Sequence, residues 1–322
     1  MTASGSGSSS RAATTSAIVT GAAQGIGAAE AERLVASGVH VVLNDIDADL
    51  LAQTVARLGG PDRAQGVVGD IAQPETARAL VAAATADGRF LESVVNNAAV
   101  LRTGMVYDLV DADWDDVIAA TLKGTFLLSR EAARYWRRRA QETGEARRAN
   151  LVLTTSRAAV LANPGQTSYA AAKAGVAVMA QTLARELRAY GVRCNAIAPR
   201  AYTKMMRDGV GDFDPAALEE WSPAYVGRFV EFLCGPHGAD ITGQLFVVHG
   251  WHVSLVRTWA VSEAVDVDWT AGHDAVAATV DTLFAGDPKA IPPFQVDDLP
   301  LAKPDSVSPF QVDESPLPSS ST

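Results

Sequence analysis

Tyr169 and Lys173 lie four residues apart in a segment that reads as one long helix from about Thr167, so their side chains share a face. A free phenol titrates near pH ~10 and is a poor base at neutrality. A nearby lysine ammonium favours the phenolate, because an opposite charge stabilises the ionised form. Upstream, a short apolar strand, Leu151 to Thr154, runs into Ser156. A hydroxyl there would hold a substrate oxygen while Tyr169 moves a proton. That equipment suits the interconversion of a secondary alcohol and a ketone, with a hydride passing to or from a cofactor. Tyr-x-x-x-Lys alone arises by chance in many helices; the segments before it give it weight.

The first of these segments is a cofactor cradle. A buried strand, Ser16 to Thr20, leads into Gly21-Ala-Ala-Gln24-Gly25-Ile26-Gly27 and an Ala-rich helix to about Ser37. Glycines let backbone approach a pyrophosphate, and the free N–H groups and dipole of the helix face its negative charge. The spacing is G-x-x-x-G-x-G rather than the commoner G-x-G-x-x-G. The alternative reading is a glycine turn with no ligand. Asp45 closes a second strand, Val39 to Asn44, where a carboxylate would bond the ribose hydroxyls of NAD and repel the extra phosphate of NADP. Gln24 is neutral and the chain continues Asp45-Ile-Asp47-Ala-Asp49, so NAD is the favoured cofactor. Asp45 could instead cap the helix that starts near Asp47; both roles fit neighbouring aspartates.

These pieces sit in a regular alternation. A helix to about Leu58 precedes a strand from Ala64 to Gly69, closed by Asp70-Ile71. Pro74 to Ala86 reads as a helix with proline in its first turn. Leu91 to Val95 is a strand ending in Asn96-Asn97-Ala98-Ala99. Strand and helix in turn predict an α/β fold with a doubly wound parallel sheet. Asp111 to Arg139 reads mostly as one helix, with Trp114, Val117, Ile118, Leu122 and Phe126 at helical spacing for a core or an interface. Its basic end, Arg134 and Arg137 to Arg139, with Arg147 and Arg148 beyond, reads as a solvated terminus that satisfies the helix dipole. Pro223 to Cys234 is expected as a helix and Leu245 to Val248 as the last strand.

Composition sets the bounds. The 322 residues are 48% hydrophobic, enough for one large domain with a sizeable core. The expected organisation is a disordered Ser/Gly-rich start over 1–15, a dehydrogenase-like domain over 16–286 and a Pro-rich tail over 287–322. That tail holds a near-repeat, Pro293 to Asp298 and Pro309 to Glu314, read equally as a docking arm or as an acidic disordered tail. A net charge of −10 argues against non-specific nucleic-acid binding. Cys194 and Cys234 form neither a disulfide framework nor a zinc site, and Cys194 reads as a core thiol. His237, His249, His252 and His273 lack metal-ligand spacing, so no metal is expected. No apolar run is long enough for a membrane span, and the start lacks a signal region, so the expected place is the cytoplasm.

Taken together, these motifs resemble the short-chain dehydrogenase/reductase family over roughly Ser16 to Gly250. The pieces are Thr20-Gly21-Ala-Ala-Gln24-Gly25-Ile26-Gly27, Asp70, Asn96-Asn97-Ala98-Ala99, Ser156, Tyr169-Ala-Ala-Ala-Lys173 and Asn195-Ala-Ile-Ala-Pro199. The resemblance implies a Rossmann-type sheet, Tyr169 as acid/base and Ser156 orienting the carbonyl. Lys173 would lower the tyrosine's pKa and bind the nicotinamide ribose. Asp45, Asp70-Ile71 and Asn97-Ala98 would hold the adenosine and ribose parts. It also implies a homo-oligomer, a dimer or tetramer, with contacts on the long helices around Trp114 and Tyr169.

Two positions depart from the family. Where many members carry an Asn that supports a proton-relay water, this chain reads Thr121-Leu-Lys-Gly-Thr-Phe126, and Thr121 is the candidate to replace it. The usual Pro-Gly after the sixth strand is Pro199-Arg200, which would put Arg200 beside the nicotinamide or the substrate loop, with Thr203 on the carboxamide. The segment Pro199-Arg-Ala-Tyr-Thr-Lys-Met205 is similar to the (3R)-hydroxyacyl-CoA dehydrogenase branch. So is the ending Gly243 to Trp251, which in that branch precedes a Trp-containing helix; Trp259 and Trp269 follow here. Met205, Met206, Val210, Phe213 and Trp221 suit a bulky apolar substrate, or a loop packed on its own core. The expected substrate is a 3-hydroxyacyl-CoA or a hydroxysteroid. The alternatives are a ketoreductase of a polyketide or other natural-product ketone, and a cofactor-binding scaffold without turnover.

Overall fold

The structure is a computed structural model. It describes residues 14–205, 207, 219–257, 264–270 and 272–284. Both ends lie outside the described residues, as do Met206, Val210, Phe213 and Trp259.

Strand and helix alternate from the start. β1 (Thr15–Thr20) is followed by α1 (Gly25–Ala36), β2 (His40–Asp45), α2 (Ala48–Arg57), β3 (Ala64–Val68), α3 (Pro74–Ala84) and β4 (Phe90–Asn96). Then come α4 (Asp111–Val117), α5 (Gly124–Thr143), β5 (Ala149–Thr154), α6 (Ala158–Leu161), α7 (Thr167–Glu186) and β6 (Val192–Arg200). The last are α8 (Pro223–Cys234), β7 (Leu245–His249), β8 (His252–Val256) and α9 (His273–Asp281). The sheet order is β3-β2-β1-β4-β5-β6-β7-β8, and the ladders from β3 through β7 are parallel. The chain winds outward from β1 to β3, then returns to the other side of β1 at β4. That reversal makes the doubly wound α/β fold and opens a crevice at the strands' carboxyl ends.

The central strands are buried on both faces, so they read as apolar runs rather than alternating ones. On one face, Ala31, Leu34 and Val35 of α1 pack with Val226, Val230 and Leu233 of α8 over Val19, Val95, Val152 and Ile197. Gly227 permits the close helix approach: a Cβ there would lie 2.6 Å from the Ala29 carbonyl oxygen. On α5, Trp136 is buried and its indole N–H donates to the Leu91 carbonyl at 2.7 Å. Each fully buried Leu or Val side chain contributes about 1.5–3 kcal/mol.

The expected helix from Asp111 to Arg139 is continuous in αR but not regular. Ile118–Lys123 is a π-helical segment between α4 and α5. Thr125 Oγ1 bonds the Thr121 carbonyl at 2.7 Å within this region. Val117 joins the core, whereas Trp114 and Phe126 stay 40% and 46% exposed. The basic terminus is largely paired with glutamates: Arg134 with Glu131 and Arg138 and Arg139 with Glu142. Cys194 is fully buried, as expected of a core thiol.

One expectation near the end needs correcting. Leu245 to Val248 is not the last strand, because β8 follows after the turn at Gly250-Trp251 and takes the sheet edge. Its side chains are exposed or half-buried, so its apolar signal is weak. Trp269 is exposed in a turn before α9, and Trp259 lies outside the described residues. One compact unit ends at Leu255 and a second, holding α9, begins at Val256.

Candidate active site

The cradle is built by steric demand. Gly21 and Gly25 adopt φ of +62° and +59°, a region that favours glycine. A Cβ on Gly27 would lie 2.3 Å from the Gly21 carbonyl oxygen and 2.7 Å from Asn97 Nδ2. Only glycine fits there. The Asn97 amide donates to the Thr20 and Gly21 carbonyls at 3.0 and 3.2 Å, while Thr20 Oγ1 accepts from the N–H groups of Asn97 and Ala98. Asn97 and Ala98 thus brace the loop from the end of β4. Gln24 occupies the N-cap of α1 without a side-chain cap bond, and no acidic residue lies in the first turn. The helix start therefore offers its N–H groups and positive dipole end to an anion, which fits a nucleotide pyrophosphate.

Asp45 and Asp47 divide the two roles considered for them. Asp47 caps α2, accepting from Leu50 N–H at 3.0 Å. One Asp45 oxygen accepts from Ala23 N–H at 3.1 Å, and the other from Ile46 and Asp47 N–H. The Asp45 carboxylate is thus tied to the glycine loop at the end of β2. Asp70 accepts from Ala72 N–H and Gln73 Nε2, and buried Ile71 packs against Gly124 of α5.

The chemical residues gather at the ends of β4, β5 and β6. Ser156 Oγ accepts from Ala158 N–H at 3.2 Å and hydrogen-bonds the Tyr169 phenol. Lys173 is buried; its Nζ donates to the Thr154 carbonyl at 2.6 Å and lies 5.7 Å from the Tyr169 ring centre. Burial raises the Tyr169 pKa, and the Ser156 bond opposes it. Burial also pulls Lys173 down to about 7, against the pull of the Glu30 carboxylate. Burial rather than the lysine charge dominates the phenol.

The remaining site residues fall nearby. Thr121, fully buried in the π-helical segment, donates through Oγ1 to the Val100 carbonyl at 3.3 Å and accepts from Val100 N–H at 3.2 Å. Its one hydroxyl proton is therefore used on Val100. Pro199 lies at the end of β6, and a Cβ on Gly25 would lie 3.5 Å from Thr203 Cγ2, so Thr203 closes against the cradle.

Two residues, Glu30 and Arg157, escaped the sequence reading, as did the surroundings of Arg200. Glu30, on the inward face of α1, is fully buried, and burial pushes it up to about 8. An acidic residue among the apolar positions of that helix was the available signal. Arg157, directly after Ser156, has a buried Nη1 with no hydrogen-bond partner. Nothing local in sequence marks it. Arg200 lies within a tight group: it is buried, its guanidinium sits 4.0 Å from the Trp221 ring centre, and Trp221 meets His249 edge-on at 4.6 Å. Burial, then the charges of Arg200 and Arg157, hold His249 down to about 4, so its 3.8 Å approach to Glu220 involves a neutral imidazole at pH 7.

The short chain dehydrogenase family profile matches residues 15–212. The chain belongs to the short-chain dehydrogenase family. It is an oxidoreductase acting on CH–OH groups. It is 40% identical over 285 residues to the hydroxyacyl-CoA dehydrogenase ChsB1 of Mycobacterium tuberculosis, covering 85% of this chain and 90% of that one. It is 34% identical over 250 residues to the (3R)-3-hydroxyacyl-CoA dehydrogenase of Mus musculus, covering 73% and 94%. A short chain dehydrogenase from Mycobacterium avium superposes with a TM-score of 0.74 at 32% identity, covering 88% of this chain and 97% of that one. Among the described residues, no helix is long and apolar enough to cross a membrane, and no cluster of His, Cys, Asp and Glu could hold a metal ion.

Proposed function

We propose that this dehydrogenase uses NAD to interconvert a secondary alcohol and a ketone on a 3-hydroxyacyl-CoA or a hydroxysteroid. The observation that carries the reading is the convergence of Ser156, Tyr169 and Lys173 beside a glycine cradle that tolerates no side chain at Gly27. The printed activities of the two hydroxyacyl-CoA relatives favour the thioester.

Gly21, Gln24, Gly25, Ile26 and Gly27 would face the pyrophosphate, and Asp45 the adenosine ribose. Asp70 and Ile71 would flank the adenine, with Asn97 and Ala98 behind the ribose. Tyr169 and Lys173 would hold the nicotinamide ribose, and Pro199 and Thr203 the carboxamide. When bound, the nicotinamide supplies the acceptor or donor of the hydride at the carbinol carbon. Ser156 Oγ holds the substrate oxygen. Tyr169 Oη takes the hydroxyl proton during oxidation and returns it during reduction. Lys173, fixed on the Thr154 carbonyl, brings its positive charge near a developing phenolate. Thr121 would act through the backbone at Val100 rather than by donating its proton to a relay water. Exposed Trp114 and Phe126 support a homo-oligomer built on the long helices.

The test follows absorbance of the reduced nicotinamide with NAD or NADP and a panel of 3-hydroxyacyl-CoA thioesters, hydroxysteroids and simple alcohols. NAD-dependent turnover of a thioester or steroid is expected. Turnover confined to NADP, or to natural-product ketones, would overturn the reading.

A further inference from the structure

Two arginines end adjacent parallel strands at the substrate side of the sheet. Thr154 pairs with Ile197 in the β5–β6 ladder, so Ser156-Arg157 leaves β5 beside the end of β6, where Pro199-Arg200 stands. Arg200 pairs in turn with His249 of β7. The side chains converge as the backbone does. Burial depresses the protonation of both arginines, the Arg157 charge depresses that of Arg200 further, and both depress His249. Arg200 is a buried residue, 7% exposed, with its guanidinium carbon 4.0 Å from the Trp221 ring centre. Glu220 is the carboxylate that favours the Arg200 charge, but it sits against His249 rather than against Arg157.

The Arg157 Nη1 group is a buried donor with no acceptor. A buried unsatisfied donor is costly, about 1–3 kcal/mol and more when charged. A ligand oxygen at that point would remove the cost. Ser156, the immediate neighbour in the chain, is the residue read above as holding the reacting oxygen, which makes an oxygen close to the reacting carbon the partner to test. The distant phosphates of a coenzyme A do not meet that condition.

We propose that Arg157, backed by Arg200, binds an acyl oxygen of the substrate, so that the site selects 3-oxygenated acyl compounds over isolated alcohols and sterol hydroxyls. This rests on the assignment of Ser156 to the reacting oxygen. The shared chemistry is a carbonyl or carboxylate oxygen close to the reacting carbon. A neutral thioester and a free acid are its two possible sources.

The test is binding, measured by calorimetry with oxidised NAD present so that ketones are not reduced. The probes are acetoacetyl-N-acetylcysteamine, free acetoacetate and 4-phenyl-2-butanone, which has no acyl oxygen. The proteins are the wild type, Arg157→Met and Arg157→Lys, each checked for unchanged thermal unfolding. Arg157→Met should weaken the thioester or the acid by roughly tenfold or more, the loss of one charge-assisted hydrogen bond, and leave the plain ketone within about twofold. Arg157→Lys should recover part of the loss. Whichever acyl probe is weakened names the source of the oxygen. Equal binding by wild type and Arg157→Met, equal losses on all three probes, or no acyl binding by the wild type would overturn the proposal. Oxidation of a plain secondary alcohol by the wild type would in those cases leave the assignment of Ser156, Tyr169 and Lys173 standing, so the two failures are distinguishable.

Discussion

Lys173 is bonded twice to the end of β5: its Nζ donates to the Thr154 carbonyl at 2.6 Å, and Thr155 Oγ1 donates to the Lys173 carbonyl at 2.6 Å. The end of β5 and the middle of α7 are joined twice within one turn. Ser156 follows on the strand and Tyr169 lies one helical turn before Lys173, so this clamp sets the distance between the two hydroxyls. Thr155→Val should remove one bond, leaving the Lys173 carbonyl to its partner within the helix, and cost about 0.5–1.5 kcal/mol of stability. Turnover should fall further than cofactor affinity does, and Thr155→Ser should restore both. Thermal unfolding with steady-state kinetics checks it. An unchanged turnover in Thr155→Val would show that the clamp does not position the site.

Gly27→Ala places a Cβ against the Gly21 carbonyl oxygen and the Asn97 amide, so one of them must move. On the proposed reading, the loop's backbone would face the pyrophosphate. The variant should therefore lose nucleotide binding, read by the fluorescence of added NADH, while the fold survives by circular dichroism. Retained affinity would mean the nucleotide does not lie on this loop.

On the proposed reading, Asp45 would accept from ribose hydroxyls and repel a phosphate there. Asp45→Ala combined with Ile46→Arg should shift the preference from NAD towards NADP. The readout is the ratio of kcat/KM for the two cofactors. No change in that ratio would remove Asp45 from cofactor selection.

Glu30 and Lys173 give the folded chain a pH signature. Burial raises Glu30 from 4.5 to about 8, so the folded state keeps a proton that the unfolded chain loses. That contribution to stability is full below 4.5 and is lost as pH rises towards 8. Lys173 has the opposite sign. Lowered from 10.5 to about 7, its contribution is present above 10.5 and lost as pH falls through 7. Between pH 4.5 and 7 the Glu30 contribution falls with rising pH, while that of His249, lowered from 6.5 to about 4, rises up to pH 6.5 and opposes it. Glu30→Gln should remove the falling part, so that stability rises more steeply with pH in denaturant titrations across the same window. A slope unaltered by the substitution would place the proton elsewhere.

The fold was legible because its strands are apolar runs bounded by glycine, proline and asparagine, and its helices are periodic between them. The cradle was legible because Gly21, Gly25 and Gly27 are each needed for a backbone reason that spacing reveals. What stayed hidden depends on partners far away in sequence. Thr121 is marked in sequence as standing where many members carry an Asn, but its bonds to Val100 and the surrounding π segment are seen only in the fold. β8 is half-exposed at an edge, so its residues do not show the pattern of a buried strand. Arg157 gains meaning only when β5 and β6 bring it beside Arg200.

The most direct measurement compares wild type with Tyr169→Phe, using NAD and a 3-hydroxyacyl-CoA, at the absorbance band of the reduced nicotinamide. The variant keeps the ring and loses only the hydroxyl that would carry the proton. NADH affinity by fluorescence should stay within about threefold, because the ring and Lys173 remain, while kcat should fall by the 10²–10⁴-fold typical of losing a general acid/base. A variant that binds NADH and turns over like the wild type would contradict the account.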